Sequence, residues 1–410
     1  MTDTRRSNER ELTAQGRARR SLLRIIGLSS ALALAGCGGG AGMGDLFSDF
    51  GGGSQNNKQA QPKAPAPGKG GARVALLLPL SAPGTPGQMA RQMKNAAEMA
   101  MVDAGRPDIT LVVKDTAGNP AGARAAAEAA LAEGARLILG PLFASSVKEV
   151  AARARGKGVP VIAFSSSSSV ARPGVYLMSF PPEAEVDNVV RHAARSGKKN
   201  IAALLPTSTY GNVVAKALEE AARRYGARIV ARERYVRTSL GITEPARRLA
   251  AAIPGAGANA LFLPEVPKLA AKAGEVLAQS GITPASVQLL GTGFWDSTSA
   301  RTVSFLNGGW YAGVDPRLVR HFEGKYRQTY GQKPLRVASL AYDATSLAIA
   351  LKRHGGFTNA AITNREGFQG MNGLFRFRRN GMIERGLAIL RVTPTGPQVV
   401  KPAPSRFAGY

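Results

Sequence analysis

The sequence predicts an α/β protein with two doubly wound lobes in tandem. Three observations lead there. Short unbroken apolar runs alternate with amphipathic helical stretches. The runs show no inside–outside alternation, as expected of parallel strands covered by helices on both faces. The alternation restarts after Pro181-Pro182, which gives a second lobe.

Val74–Leu78 is the first such run. A helix follows over Gln88–Met101, placing Met89, Met93, Ala96, Ala97, Ala100 and Met101 on one face. Leu111–Lys114, Leu137–Leu139 and Val161–Ala163 are the next strands, separated by helices over Ala121–Ala132 and Ser145–Arg155. In the second lobe, helices are expected over Glu183–Ala194, Gly211–Tyr225, Pro245–Ile253 and Val266–Ser280. Strands are expected at Ile201–Leu205, Arg228–Tyr235, Ala260–Leu263 and Val287–Leu290. The Pro- and Gly-rich tail from Pro394 to Tyr410 is expected to be an arm with little regular structure.

The N-terminus reads as an export address. Residues 1–24 carry seven Arg against Asp3, Glu9 and Glu11, and an apolar run of 11 residues, Ile25–Ala35, follows. That run is too short to span a bilayer, which needs about 20 residues. A basic segment, a short apolar core and a small-residue exit make a secretory signal over residues 1–36. Residues 37–71, rich in Gly, Pro, Gln and Asn, cannot bury enough apolar surface to offset their ordering entropy and form a tether.

Composition excludes several classes. The 410 residues are 44% hydrophobic, too apolar for wholesale disorder. One Cys excludes a disulfide framework and a Cys-rich zinc module, and His192, His321 and His354 are too scattered for a metal motif, so no metal or cofactor is expected. The net charge is +27, from 54 Lys and Arg against 27 Asp and Glu. Removing residues 1–36 leaves 47 against 24, so the excess belongs to the body. Export and the dispersal of basic pairs argue against nucleic acid. Arg376, Arg378 and Arg379 form the densest basic cluster, suited to an anionic lipid or cell-wall polymer. Ser145-Ser-Val-Lys148 spells the SxxK of penicillin-binding enzymes, but no Ser-Asp-Asn or Lys-Thr-Gly accompanies it, and no catalytic role is assigned.

Two loops carry candidate chemistry. Gly140–Ser146 joins a strand end to a helix start, where Ser145 or Ser146 caps the helix and backbone N–H groups suit an anion. Ser165–Ser169 follows the next strand and opens on the same edge.

Several motifs carry a resemblance. Arg73-Val-Ala-Leu-Leu-Leu-Pro-Leu-Ser, Asp115-Thr-Ala-Gly-Asn-Pro, Ile138-Leu-Gly-Pro-Leu, Gly158-Val-Pro-Val-Ile, Tyr210-Gly211 and Leu340-Ala-Tyr-Asp-Ala resemble type I periplasmic binding proteins of the branched-chain amino-acid class. The likeness runs from about residue 73 to residue 392. It implies two Rossmann-like lobes joined by three crossovers within a domain over residues 72–400. Residues 72–179 and 313–354 would form one lobe, residues 180–312 and 368–400 the other, with a tail over 401–410. Leu34-Ala-Gly-Cys37 resembles a bacterial lipobox, which implies acylation of Cys37 and a lipid anchor; Gly38 after it favours the outer membrane, facing the periplasm. Arg19-Arg20-Ser-Leu-Leu-Arg24 resembles a twin-arginine signal, and the choice between the Sec and twin-arginine routes stays open.

Leu289-Leu-Gly-Thr-Gly-Phe-Trp-Asp296, Gly308-Gly-Trp-Tyr311 and Gly373-Leu-Phe-Arg-Phe-Arg378 look like the penicillin-binding protein activator branch, similar to the C-terminal domain of LpoA. Residues 38–71 are too few for the N-terminal helical-repeat domain of enterobacterial members. That branch implies a non-catalytic activator of peptidoglycan synthases. The wider class implies instead a lipoprotein receptor that hands branched-chain amino acids or small amides to an ABC permease. In the amino-acid receptors, the loops matching Ser145, Ser146, Ser166, Ser167 and Ser168 hold the ligand's carboxylate and ammonium. Tyr210 matches their second-lobe tyrosine, and Glu265 and Asp296 are the candidate ammonium partners.

Overall fold

The computed structural model describes residues 71–105 and 107–407. The export signal, Cys37 and nearly all of the expected tether lie outside the described residues.

The first lobe is built on β1 (Ala72–Leu78), β2 (Ile109–Asp115), β3 (Leu137–Leu139), β4 (Val161–Ala163) and β5 (Val175–Leu177), with α1 (Thr85–Asp103), α2 (Pro120–Ala132) and α3 (Ala144–Arg155) between them. All pairings in this sheet are parallel, in the order β2-β1-β3-β4-β5. Alternate residues of β1 serve two cores. Val74, Leu76 and Leu78 pack toward α1, while Ala75 and Leu77 pack toward α2 and α3. This two-sided burial is why the run shows no polar alternation.

The chain crosses at Ser179–Pro181 into α4 (Pro182–Arg195), β6 (Asn200–Pro206), α5 (Thr209–Tyr225), β7 (Arg228–Tyr235), α6 (Thr243–Ala256), β8 (Ala260–Phe262), α7 (Pro267–Gln279), β9 (Gln288–Gly291) and β10 (Trp310–Gly313). It returns through α8 (Pro316–Tyr330), α9 (Ala338–Arg353), α10 (Asn359–Ile362), β11 (Phe368–Gly370), β12 (Gly373–Phe377) and β13 (Ile383–Arg385). A last crossing leads to β14 (Ala388–Arg391) and β15 (Gln398–Lys401). The second sheet runs β15-β14-β10-β9-β8-β6-β7, with β14 and β15 antiparallel. The fold is therefore the two-lobed, thrice-crossed α/β architecture of type I periplasmic binding proteins.

Two expectations are corrected. The resemblance placed residues 368–400 in the second lobe, but β11–β13 pack on the first. Phe375, Phe377 and Ile383 join the core formed by Val74, Leu76 and the apolar side of α9, and Leu177 N–H donates to Gly381 O at 2.9 Å. Only β14 and β15 complete the second sheet. The tail also holds more regular structure than its Pro and Gly content suggested, because β15 adds an exposed edge strand beside β14.

Candidate functional site

Both sheets have a switch point, where strand order reverses and a crevice opens beyond the carboxyl ends. In the first sheet it lies between β1 and β3, and in the second between β6 and β8. The segments after β3, β6 and β8 carry Ser145, Ser146, Tyr210 and Glu265, and those after β4 and β9 carry Ser166, Ser167, Ser168 and Asp296.

Gly140 follows β3 at φ 94°, and a Cβ there would lie 2.2 Å from Leu77 O, so glycine is required. The expected serine cap is absent. Phe143 holds the N-cap position of α3 without a side-chain bond, because the helix begins at Ala144, two residues earlier than a Ser145 cap requires. Ser145 is exposed in the first turn, while Ser146 is fully buried and its Oγ has no partner among the described residues. The first-turn N–H groups thus lack both an intrahelical acceptor and a side-chain cap. Phe164 N–H donates to Pro141 O at 2.9 Å, tying this loop to the serine run after β4. There Ser165 is buried and accepts from Ser167 N–H at 3.2 Å, and Ser167 and Ser169 hydroxyls pair at 2.8 Å. Ser166 is exposed and Ser168 half-buried. Ser145 and Lys148 of the SxxK match are both exposed.

Tyr210, Glu265 and Asp296 gather at the carboxyl edge of the second sheet. Ser208 caps α5 by accepting from Gly211 N–H at 3.1 Å. Gly211 sits so close to the preceding strand that a Cβ would lie 1.8 Å from Pro206 O. This turn sets Tyr210, whose hydroxyl pairs with Thr292 Oγ1 at 2.8 Å and whose ring meets Phe294 at 4.8 Å. Burial raises the Tyr210 hydroxyl well above the usual tyrosine range, so it stays protonated.

Glu265 is wholly buried and fully engaged. It accepts from Tyr235 OH at 2.7 Å, from Arg237 Nη2 at 2.6 Å and Nε at 3.0 Å, and from Val266 N–H at 2.7 Å. Asp296 forms an ion pair with Arg336, with Tyr311 OH 3.4 Å away. Arg336 belongs to the loop before α9. That loop is held to α1 by Leu335 N–H donating to Gln92 Oε1 at 2.6 Å, and Ser339 Oγ donates to Arg336 O at 2.7 Å. The Asp296–Arg336 pair therefore bridges the lobes. No hydrogen bond joins the serines to Tyr210, Glu265 or Asp296 among the described residues, so the structure assembles two separate groups.

Sequence reasoning missed Glu185, Arg336 and Arg385. Glu185 lies in the first turn of α4, just past the first crossover, and accepts from Gly293 N–H at 2.8 Å. Burial pushes its carboxyl up to about 7, opposed by the Gly293 N–H and the Arg336 charge. Glu183 and Glu185 follow the Pro181-Pro182 pair, and acidic residues are common in a helix's first turn, so nothing in the sequence marks Glu185 for burial. Arg385 is buried where β13 leads into the last crossing. Its Nε donates to Ser179 O at 2.6 Å and its guanidinium lies 4.6 Å from the Phe180 ring centre, with Arg336 4.8 Å from the same ring. Among the described residues, no group of three or more His, Cys, Asp and Glu could hold a metal ion.

The Glu185 shift makes a prediction. A carboxyl whose folded pKa exceeds its unfolded one stabilises the fold fully at low pH and loses that contribution as pH rises through the folded pKa. From about pH 5 to pH 8, stability is expected to fall by roughly 1–3 kcal/mol through this group. Glu185→Gln should flatten that part of the profile, read as urea midpoints across pH.

A model of the periplasmic binding protein family matches residues 71–397. Comparison with curated proteins gave no match. Among solved structures, a protein described as a branched-chain amino acid ABC transporter from Rhodospirillum rubrum is 19% identical, with a TM-score of 0.71 over 80% of this chain and 100% of that one. The C-domain of LpoA from Haemophilus influenzae, described as a regulator of PBP1A, is 16% identical, with a TM-score of 0.64 over 80% of this chain and 100% of that one. Full-length LpoA from the same organism is 16% identical, with a TM-score of 0.65 over 81% of this chain but 59% of that one. At these identities the solved structures establish a shared fold, while the family match spans most of the sequence: the chain belongs to the periplasmic binding protein family.

Proposed function

We propose that the protein is a lipid-anchored, non-catalytic activator of a peptidoglycan synthase in the periplasm, held to the outer membrane through Cys37. The observation that carries this reading is the internal commitment of the cleft carboxylates. A receptor for amino acids needs an available carboxylate for the ligand's ammonium group. Both carboxylates expected to serve are engaged, Glu265 by Tyr235, Arg237 and Val266 N–H, and Asp296 by Arg336 across the lobes. A cleft braced by its own side chains suits a scaffold whose partner reads the outer surface. The likeness to the C-domain of LpoA supports the same reading. Activation would then be differential affinity for the partner's active state.

The second reading is an amino-acid receptor of an ABC importer. It is favoured by the uncapped start of α3 beside the buried, unpartnered Ser146 Oγ, a place suited to a carboxylate. Glu185 would then be the ammonium partner. Glycan polymerisation by a purified bifunctional synthase, with and without the full chain, separates the readings. A several-fold faster rate on addition is expected. An unchanged rate, with a permease captured by crosslinking in cells, would overturn the activator.

A further inference from the structure

The first lobe carries a basic recess lined by none of the cleft residues named above. An open cavity of about 510 Å³ is lined by Arg365, Arg376, Arg378, Arg379 and Glu384, among others. We propose that this recess is a binding site for a phosphate-bearing ligand, independent of the function proposed above.

The hairpin of β12 and β13 builds its floor. Arg376 and Glu384 are directly opposed across the hairpin, and Arg376 Nε donates to Glu384 Oε2 at 2.9 Å. Arg376 also donates from Nη1 to Arg365 O at 3.0 Å, and its guanidinium lies 4.2 Å from the ring centre of buried Phe407. Arg378 Nε reaches the same Glu384 oxygen at 3.2 Å. One carboxylate thus serves two guanidinium groups. The exposed side chains of Arg365 and Arg379 have no partner among the described residues. Four positive charges against one negative leave +3 around a single recess.

Charge of this density on a fixed framework differs from a solvated helix face. Arg376 is held from three sides, so part of the ordering cost is met before binding. Guanidinium forks match the oxygens of phosphate in pairs. The volume exceeds that of a single phosphate ion and falls in the range of small-ligand sites, as for a phosphorylated sugar or a lipid headgroup.

The test uses the full chain with two probes, inorganic pyrophosphate by calorimetry and phosphatidylglycerol–phosphatidylcholine vesicles by sedimentation. Pure phosphatidylcholine vesicles set the background. Arg365→Gln/Arg379→Gln removes two charges that support no internal contact. Arg124→Gln/Arg223→Gln removes two exposed charges elsewhere. We expect saturable binding of at least one probe, weakened at least tenfold in the first pair and less than twofold in the second. Pyrophosphate binding alone would mark a soluble phosphate ester, and vesicle binding alone a membrane headgroup. Equal losses in both pairs, or no saturable binding of either probe, would overturn the site.

Discussion

Replacing Arg385 with methionine is expected to lower folding stability by about 3–5 kcal/mol, read from the urea midpoint, because it strands a buried charge. Arg385 is 1% exposed, and its Nε bond to Ser179 O links the first and last crossings between lobes. Its charge also opposes that of Asp343, itself 1% exposed. Asp343 accepts from Met371 N–H at 2.6 Å and Asn372 Nδ2 at 2.8 Å. Burial raises the Asp343 carboxyl and lowers the Arg385 guanidinium to about 10, yet each charge sustains the other. Arg385→Met/Asp343→Asn should recover at least half of the loss, since it removes both charges together. A single variant as stable as the parent would contradict this account of the crossover.

The second large effect is expected at Glu265. Glu265→Ala leaves the buried Tyr235 hydroxyl and Val266 N–H without their acceptor and frees Arg237, which is 38% exposed and can turn toward water. Stability should fall by about 2–4 kcal/mol. Adding Arg237→Met should change this little, because the stranded Tyr235 dominates. If Glu265→Ala were neutral and abolished amino-acid binding instead, the residue would be a ligand partner.

The sheets were legible because their signal is local. Val74–Leu78, Leu137–Leu139 and Val161–Ala163 are apolar runs, each with a Pro or Gly at one end, and all three fall within strands. Helix faces were equally clear: Val147, Val150, Ala151 and Ala154 are buried as their spacing requires. Later elements were harder to read. α9 is buried on nearly all sides, so its sequence lacks an amphipathic stripe. β15 is an exposed edge strand beside Pro397 and Pro402, where composition argues for an arm.

The site was legible as places and not as pairings. Ser146 and Tyr210, in the first turns of α3 and α5, and Glu265, in the loop after β8, do follow strand ends. That Glu265 meets Arg237, 28 positions away, and that Asp296 meets Arg336, 40 positions away, depends on tertiary approach that spacing does not encode. The serine cap failed for a related reason. Helix starts are uncertain by a residue or two, and with the N-cap on Phe143, two positions before Ser145, Ser146 becomes the third helical residue and faces the core.

The account rests on a cleft whose acidic groups are committed to the protein itself. Calorimetric titration of the full chain with leucine, isoleucine and valine tests this most directly. The expected result is no saturable heat up to millimolar amino acid. One-to-one binding at micromolar concentration, weakened by Ser146→Ala and by Glu185→Gln, would show that the cleft is a receptor site.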